Sequence, residues 1–159
     1  MKKLTVLITL CCCHVAPAYA QSCADLGFTR LTYNEIVPAL SGKRIEATTP
    51  VGVTPPEEWN EDHCDFNTSS ALYKVGVSPN DPVDPRAYRG VWVRAGSPAL
   101  GGFVQYNYRP STTIYAWSLW GNAAGDLCWQ DTVGSTTDAI AIDPAPIDDI
   151  PAGLPCDIP

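Results

Sequence analysis

Between Tyr88 and Gln130 the chain alternates with a period of two, and glycine or proline interrupts the alternation at short intervals. Tyr88 to Arg94 sets Val91 and Val93 against Trp92. Phe103 to Tyr108 puts Val104, Tyr106 and Tyr108 on one face. Thr112 to Trp120 puts Tyr115, Trp117 and Leu119 on one face and Ile114, Ala116 and Trp120 on the other. Gly96, Pro98, Gly101 and Gly102, then Arg109-Pro110-Ser111, then Gly121, Asn122 and Gly125 turn the chain between these runs. Successive side chains of a strand point to opposite faces, so this pattern demands strands and excludes helices. β-branched and aromatic enrichment with turn signals about 8–12 residues apart marks an antiparallel meander.

Further strands are predicted at 43–48, where Ile45 and Ala47 share a face, at 71–77, at 127–130 and at 137–142. Seven or eight short strands predict an all-β fold. A small antiparallel meander barrel is expected, because closure removes exposed edges. One short helix is predicted at about 32–41. Thr32-Tyr33-Asn34-Glu35 matches a capping box, Ile36, Val37 and Leu40 follow, and Gly42 sits at the C-terminal cap. Pro38 is expected near the first turn, which tolerates a missing donor. Residues 50–58 and 78–87 read as proline-rich connections, 59–66 follows neither period, and 143–159, with five prolines, reads as an extended tail.

The N-terminus carries Lys2 and Lys3, an uncharged run from Leu4 to Cys13, and Ala18-Tyr19-Ala20. This layout predicts a cleaved signal peptide at 1–20, since the run is shorter than the roughly 20 residues that cross a bilayer. The organisation expected is a leader at 1–20, one domain at 21–142 and a tail at 143–159, exported to the periplasm or beyond. Lipidation at Cys11 or Cys23 is a lesser alternative, because neither follows the apolar small-residue pattern that an acylated cysteine needs. Cleavage removes two lysines and keeps all 17 acids, moving the net charge from −7 to −9. An acidic chain without clustered Lys or Arg is not expected to bind nucleic acid, and no transmembrane segment is expected.

Cleavage also removes three of the 7 cysteines and leaves Cys23, Cys64, Cys128 and Cys156. An even number in an exported chain reads as two disulfides with three possible pairings. The expected pairing is Cys64–Cys128 within the body and Cys23–Cys156 between the terminal segments.

Catalytic equipment is sparse. His63 is the sole histidine after cleavage, and neighbouring acids are expected to raise its pKa. Glu58 and Glu61 could form a hydrolytic acid pair. Otherwise the acidic run 57–65 reads as a solvated loop. Calcium is the other use for these acids, with Glu58, Glu61, Asp62, Asp65, Asp81 and Asp84 as candidate ligands that lack EF-hand spacing. No cofactor is expected. Aromatic residues are the stronger functional signal: Tyr106, Tyr108, Tyr115, Trp117, Trp120 and Trp129 could stack on an apolar or aromatic ligand. The alternative use of these rings is to fill and cover a small barrel.

Several short motifs carry a resemblance. Leu40-Ser41-Gly42-Lys43, Trp59, Tyr73-Lys74-Val75-Gly76, Asp81-Pro82-Val83-Asp84-Pro85, Gly90-Val91-Trp92, Val104-Gln105-Tyr106-Asn107-Tyr108 and Tyr115-Ala116-Trp117 look like those of small exported bacterial proteins of unknown function with a lipocalin-like barrel outline. The resemblance covers about 40–131. It implies a barrel and export, and carries no catalytic residues. The function expected is a non-catalytic exported barrel that binds a small ligand or a protein partner. The alternatives are an inhibitor or envelope-associated protein acting through surface loops, and then an acid-pair hydrolase.

Overall fold

Ten strands and one helix make up the computed structural model, which describes residues 21–50, 57–67, 69–75, 86–131, 139–143 and 148–159. In chain order they are β1 (Thr29–Arg30), α1 (Tyr33–Leu40), β2 (Lys43–Thr48), β3 (Glu58–His63), β4 (Ala71–Lys74), β5 (Ala87–Ser97), β6 (Gly101–Tyr108), β7 (Ile114–Gly121), β8 (Leu127–Asp131), β9 (Ala139–Asp143) and β10 (Asp148–Asp149). The signal peptide expected at 1–20 and the candidate ligands Asp81 and Asp84 lie outside the described residues.

Each strand from β2 to β9 pairs antiparallel with the next, and β9 returns to β2 through Thr48 and Ile142. The result is a closed, eight-stranded, up-and-down antiparallel barrel. β1 extends the sheet beside β7, and β10 runs beside β2 at Arg44 and Lys43. Closure pairs the backbone groups that an open sheet would leave at its edges.

The period-two pattern decides what points inward. Ile45 and Ala47 of β2, Leu72, Trp92, Val104, Tyr106, Leu119, Leu127, Trp129 and Ala141 form the core with Ile36 and Leu40 of α1. The indole of Trp92, fully buried, donates to the Cys64 carbonyl at 3.0 Å. Burial of a side chain this large contributes about 1.5–3 kcal/mol or more.

The helix closes one end of the barrel. The Glu35 carboxylate accepts hydrogen bonds from the Thr32 amide at 2.7 Å and the Thr32 hydroxyl at 2.6 Å, which fixes the first turn and lowers the Glu35 pKa. Gly42 follows the C-cap with φ 76°, the left-handed conformation that glycine adopts without strain, and its amide reaches the His63 carbonyl at 2.8 Å. Gly102 lets β6 pass directly under the helix: a Cβ there would lie 2.6 Å from Ile36 Cδ1 and 2.7 Å from Tyr33 Cα. The Arg94 guanidinium stacks 3.9 Å from the Tyr33 ring and donates to the Tyr33 carbonyl.

Four expectations change. The acidic run 57–65 is not a solvated loop: 58–63 is barrel strand β3, with Glu61, Asp62 and His63 buried. Pro38 sits in the helix interior rather than its first turn, so the helix forgoes the bond that an amide at 38 would donate to Asn34. The tail contributes strand β10, which pairs beside β2, and its Ile150 and Cys156 pack with Ala71 and Tyr73 of β4. The disulfides pair differently: Cys23 with Cys128 and Cys64 with Cys156. Cys64 follows β3 and Cys128 lies on β8, with β2 and β9 between them. Three strand spacings of about 4.8 Å exceed the roughly 7 Å that a disulfide spans between Cα atoms. Each body cysteine therefore takes the terminal segment that passes its own strand.

Candidate functional site

Strand β3 brings chemistry into the barrel because its odd-numbered residues face in. Trp59, Glu61 and His63 point to the interior, and Asn60 and Asp62 point away. Ile45 and Ala47 of β2, Tyr106 and Tyr108 of β6, Trp117 of β7, Trp129 of β8 and Ala141 of β9 complete the wall around them. These side chains leave a chamber with about 30 Å³ open to the centre of a water molecule. That holds about one or two waters, so the barrel is packed rather than hollow.

The floor of the chamber is a buried hydrogen-bond chain. Trp129 Nε1 donates to the Tyr106 hydroxyl at 3.0 Å, and that hydroxyl lies 3.0 Å from His63 Nε2. An indole N–H can only donate, so Tyr106 accepts from Trp129, and the imidazole tautomer sets which of Tyr106 and Nε2 donates to the other. His63 Nδ1 has no hydrogen-bond partner among the described residues. Burial holds the His63 pKa down at about 4, against weaker pulls from the Glu61 carbonyl and Asp62. The sequence expectation of a raised value fails for a geometric reason. Asp62 faces the opposite side of the strand, where Arg44 (2.7 Å) and Arg86 (2.6 Å) neutralise it.

Above the chain lies Glu61. Its carboxylate accepts from the Tyr108 hydroxyl at 3.1 Å, and only 8% of the residue is exposed. Burial raises its pKa to about 7, while the Tyr108 hydrogen bond and the charge of Arg89 act the other way. Burial also raises the pKa of Tyr106 and of Tyr108, so both phenols remain protonated donors.

The chamber continues outward into a depression of about 500 Å³ at the end of the barrel remote from α1. Its wall holds Glu57, Trp59, Glu61, Tyr108, Ser111, Tyr115 and Trp117. The rings form a graded stack: Tyr106 lies parallel to Tyr108 at 5.9 Å, Tyr115 stacks on Trp117 at 5.5 Å, and Tyr108 meets Tyr115 edge-on at 5.8 Å. Tyr115 is 42% exposed, so part of this surface is open to solvent.

Of the aromatic candidates, Tyr106, Tyr108, Trp117 and Trp129 line the chamber, and Tyr108, Tyr115 and Trp117 line the depression. Trp120 is on the other face of β7. It packs outside the barrel with the Cys23–Cys128 bridge and donates to Ser118 Oγ at 2.9 Å. The acidic candidates are dispersed. Glu58 is exposed, and its odd offset from Glu61 puts the two carboxyls on opposite faces of β3. Asp62 is held by two arginines, and Asp65 accepts from the Asn67 amide in the turn after β3. Among the described residues no three His, Cys, Asp or Glu side chains converge as metal ligands. Trp59 and His63 are wall residues absent from the sequence-based set of binding candidates. The spacing of Trp59, Glu61 and His63 is the signal that could have found them, since it carries the period of two.

Searches against family models, curated proteins and solved structures return no match for this chain.

Proposed function

We propose that this chain is exported and binds a small planar or apolar ligand at the open end of its barrel, without performing chemistry on it. The observation that carries this reading is the depression walled by Trp59, Tyr108, Tyr115 and Trp117, with one carboxyl at its base. Aromatic walls with a few placed polar groups are the usual composition of a small-molecule site. Because the chamber beneath is nearly full, the ligand sits at the mouth and not in the barrel interior. Two disulfides and the N-terminal layout at 1–20 support folding in an oxidising compartment.

Native mass spectrometry of protein purified from its own host, followed by titration of the released molecule against tryptophan fluorescence, tests this reading. Trp117→Ala should weaken binding about tenfold or more, given that aromatic contacts contribute about 0.5–1.5 kcal/mol beyond buried area. Trp120→Ala, on the outer face, should leave affinity unchanged. Equal effects of the two substitutions would refute the placement. Recovery of a bound protein instead of a small molecule would favour a partner-binding role.

A further inference from the structure

We propose that the ligand is an organic cation, a small amine or quaternary ammonium whose apolar body lies on Trp117 and Tyr115 and whose charge rests over Glu61. This rests on the reading of the mouth as a ligand site and names the class of molecule it selects.

The first argument is charge. Among the described residues, the titratable side chains that line the depression besides its phenols are Glu57 and Glu61, and no lysine or arginine lines it. An anionic ligand would bring its charge against these carboxyls with no cation in the wall to receive it. The second argument is the wall itself. The faces of tryptophan and tyrosine rings carry negative potential and attract cations within about 6 Å, more strongly for tryptophan. Trp59, Tyr108, Tyr115 and Trp117 converge on one space with a carboxyl at its base. The third argument is capacity. Tyr108 bonds to one carboxylate oxygen, Oε2, and a carboxylate accepts through both. An N–H donor or a methylated ammonium entering from the mouth meets the remaining face of Glu61.

Other charged groups bear on Glu61. Arg89 on β5 is exposed and acts on it through space, and Lys74 of β4 stands opposite it in the strand register. Glu57 lies at the rim, His63 is neutral two residues along β3, and Tyr108 and Tyr106 remain protonated. A bound cation stabilises the Glu61 carboxylate. Binding therefore strengthens as pH rises through about 7, the pKa of Glu61 in the free protein, and releases a proton when it occurs near that pH.

The experiment compares three probes with one aromatic body: phenethylamine, 2-phenylethanol and 3-phenylpropionate, titrated calorimetrically into the full exported chain at pH 6 and pH 8. The expected order is amine, then alcohol, then acid, with about a tenfold preference for the amine over the alcohol at pH 8 and a smaller one at pH 6. Glu61→Gln keeps an acceptor for Tyr108 and should abolish the amine preference while alcohol binding persists. Trp117→Ala should weaken amine and alcohol alike. Equal binding of all three probes would overturn the cation inference and leave the aromatic site standing. Binding of none at millimolar concentration would overturn both. A preference for the amine that survives Glu61→Gln, with circular dichroism showing the variant folded, would also overturn the role given to Glu61.

Discussion

The Tyr106 hydroxyl lies 3.0 Å from His63 Nε2 and links β6 to β3 across the barrel interior. It also receives the Trp129 indole proton at 3.0 Å, so one oxygen joins three strands. Tyr106→Phe removes that oxygen and leaves His63 Nε2 and Trp129 Nε1 buried without partners. Each unsatisfied group costs about 1–3 kcal/mol, so the variant should lose about 2–6 kcal/mol in urea denaturation. A loss below about 1 kcal/mol would mean that water already serves these groups.

Glu61 and His63 give the fold opposed pH dependences. The Glu61 pKa is raised from 4.5 to about 7, so the folded state holds a proton that the unfolded state releases between those values, and stability falls as pH rises across that window. Asp143, raised to about 6 by burial, acts in the same direction from its ordinary 3.8. The His63 pKa is lowered from 6.5 to about 4, so the unfolded state takes up the extra proton there, and stability rises with pH between those values. The contributions partly cancel in the native chain. In Glu61→Gln the His63 contribution loses its main opponent. The urea midpoint of that variant should climb more steeply than wild type between about pH 4.5 and 6.5, and should lie above wild type at pH 8. A variant no more stable than wild type at pH 8 would show that Glu61 is not destabilised by ionising.

The bridge Cys64–Cys156 holds the tail against the outside of the barrel. Arg86, which pairs with Asp62, also donates to the Pro155 carbonyl, and the Tyr73 hydroxyl donates to the Asp157 carbonyl. The double variant Cys64→Ser/Cys156→Ser should lose about 2–4 kcal/mol. Limited proteolysis should then cut within 150–159 before it cuts the strands. Peptide mapping without reduction should recover Cys23 with Cys128 and Cys64 with Cys156. Recovery of Cys23 with Cys156 would refute the pairing.

Gly102→Ala tests the seat of α1. The added methyl must displace Ile36 and the backbone of Tyr33. Overpacking of this kind costs about 1–3 kcal/mol. Hydrogen exchange should show α1 amides losing protection ahead of β5 and β6, and a variant with native protection in α1 would contradict this contact.

β6 and β7 were legible because their inward residues are apolar or aromatic and their outward neighbours include Gln105, Asn107 and Ser118. β3 was not. Both of its faces are polar in sequence, and the period survives only as Trp59, Glu61 and His63. Its burial depends on partners that come from elsewhere: Tyr108 and Tyr106 inside, Arg44 and Arg86 outside. The bridges were illegible for a related reason. Pairing depends on which strand each terminal segment crosses, and that follows from barrel closure rather than from cysteine spacing. Trp120 could not be separated from Trp117 by residue type. Only its even position on β7 sends it outward, to the Cys23–Cys128 bridge.

The two bridges interleave along the chain, since Cys64 lies inside the loop closed by Cys23–Cys128 and Cys156 lies beyond it. A mechanical pull on the two ends therefore has two direct covalent routes, one across Cys23–Cys128 and on through 128–156, the other through 23–64 and across Cys64–Cys156. The segment between Cys64 and Cys128, with strands β4 to β7 and the mouth residues Tyr108, Tyr115 and Trp117, lies on neither route. Tension on the termini, from a tether or a surface to which either end is anchored, would be carried by those two routes, while the β6–β7 wall of the mouth lay off both.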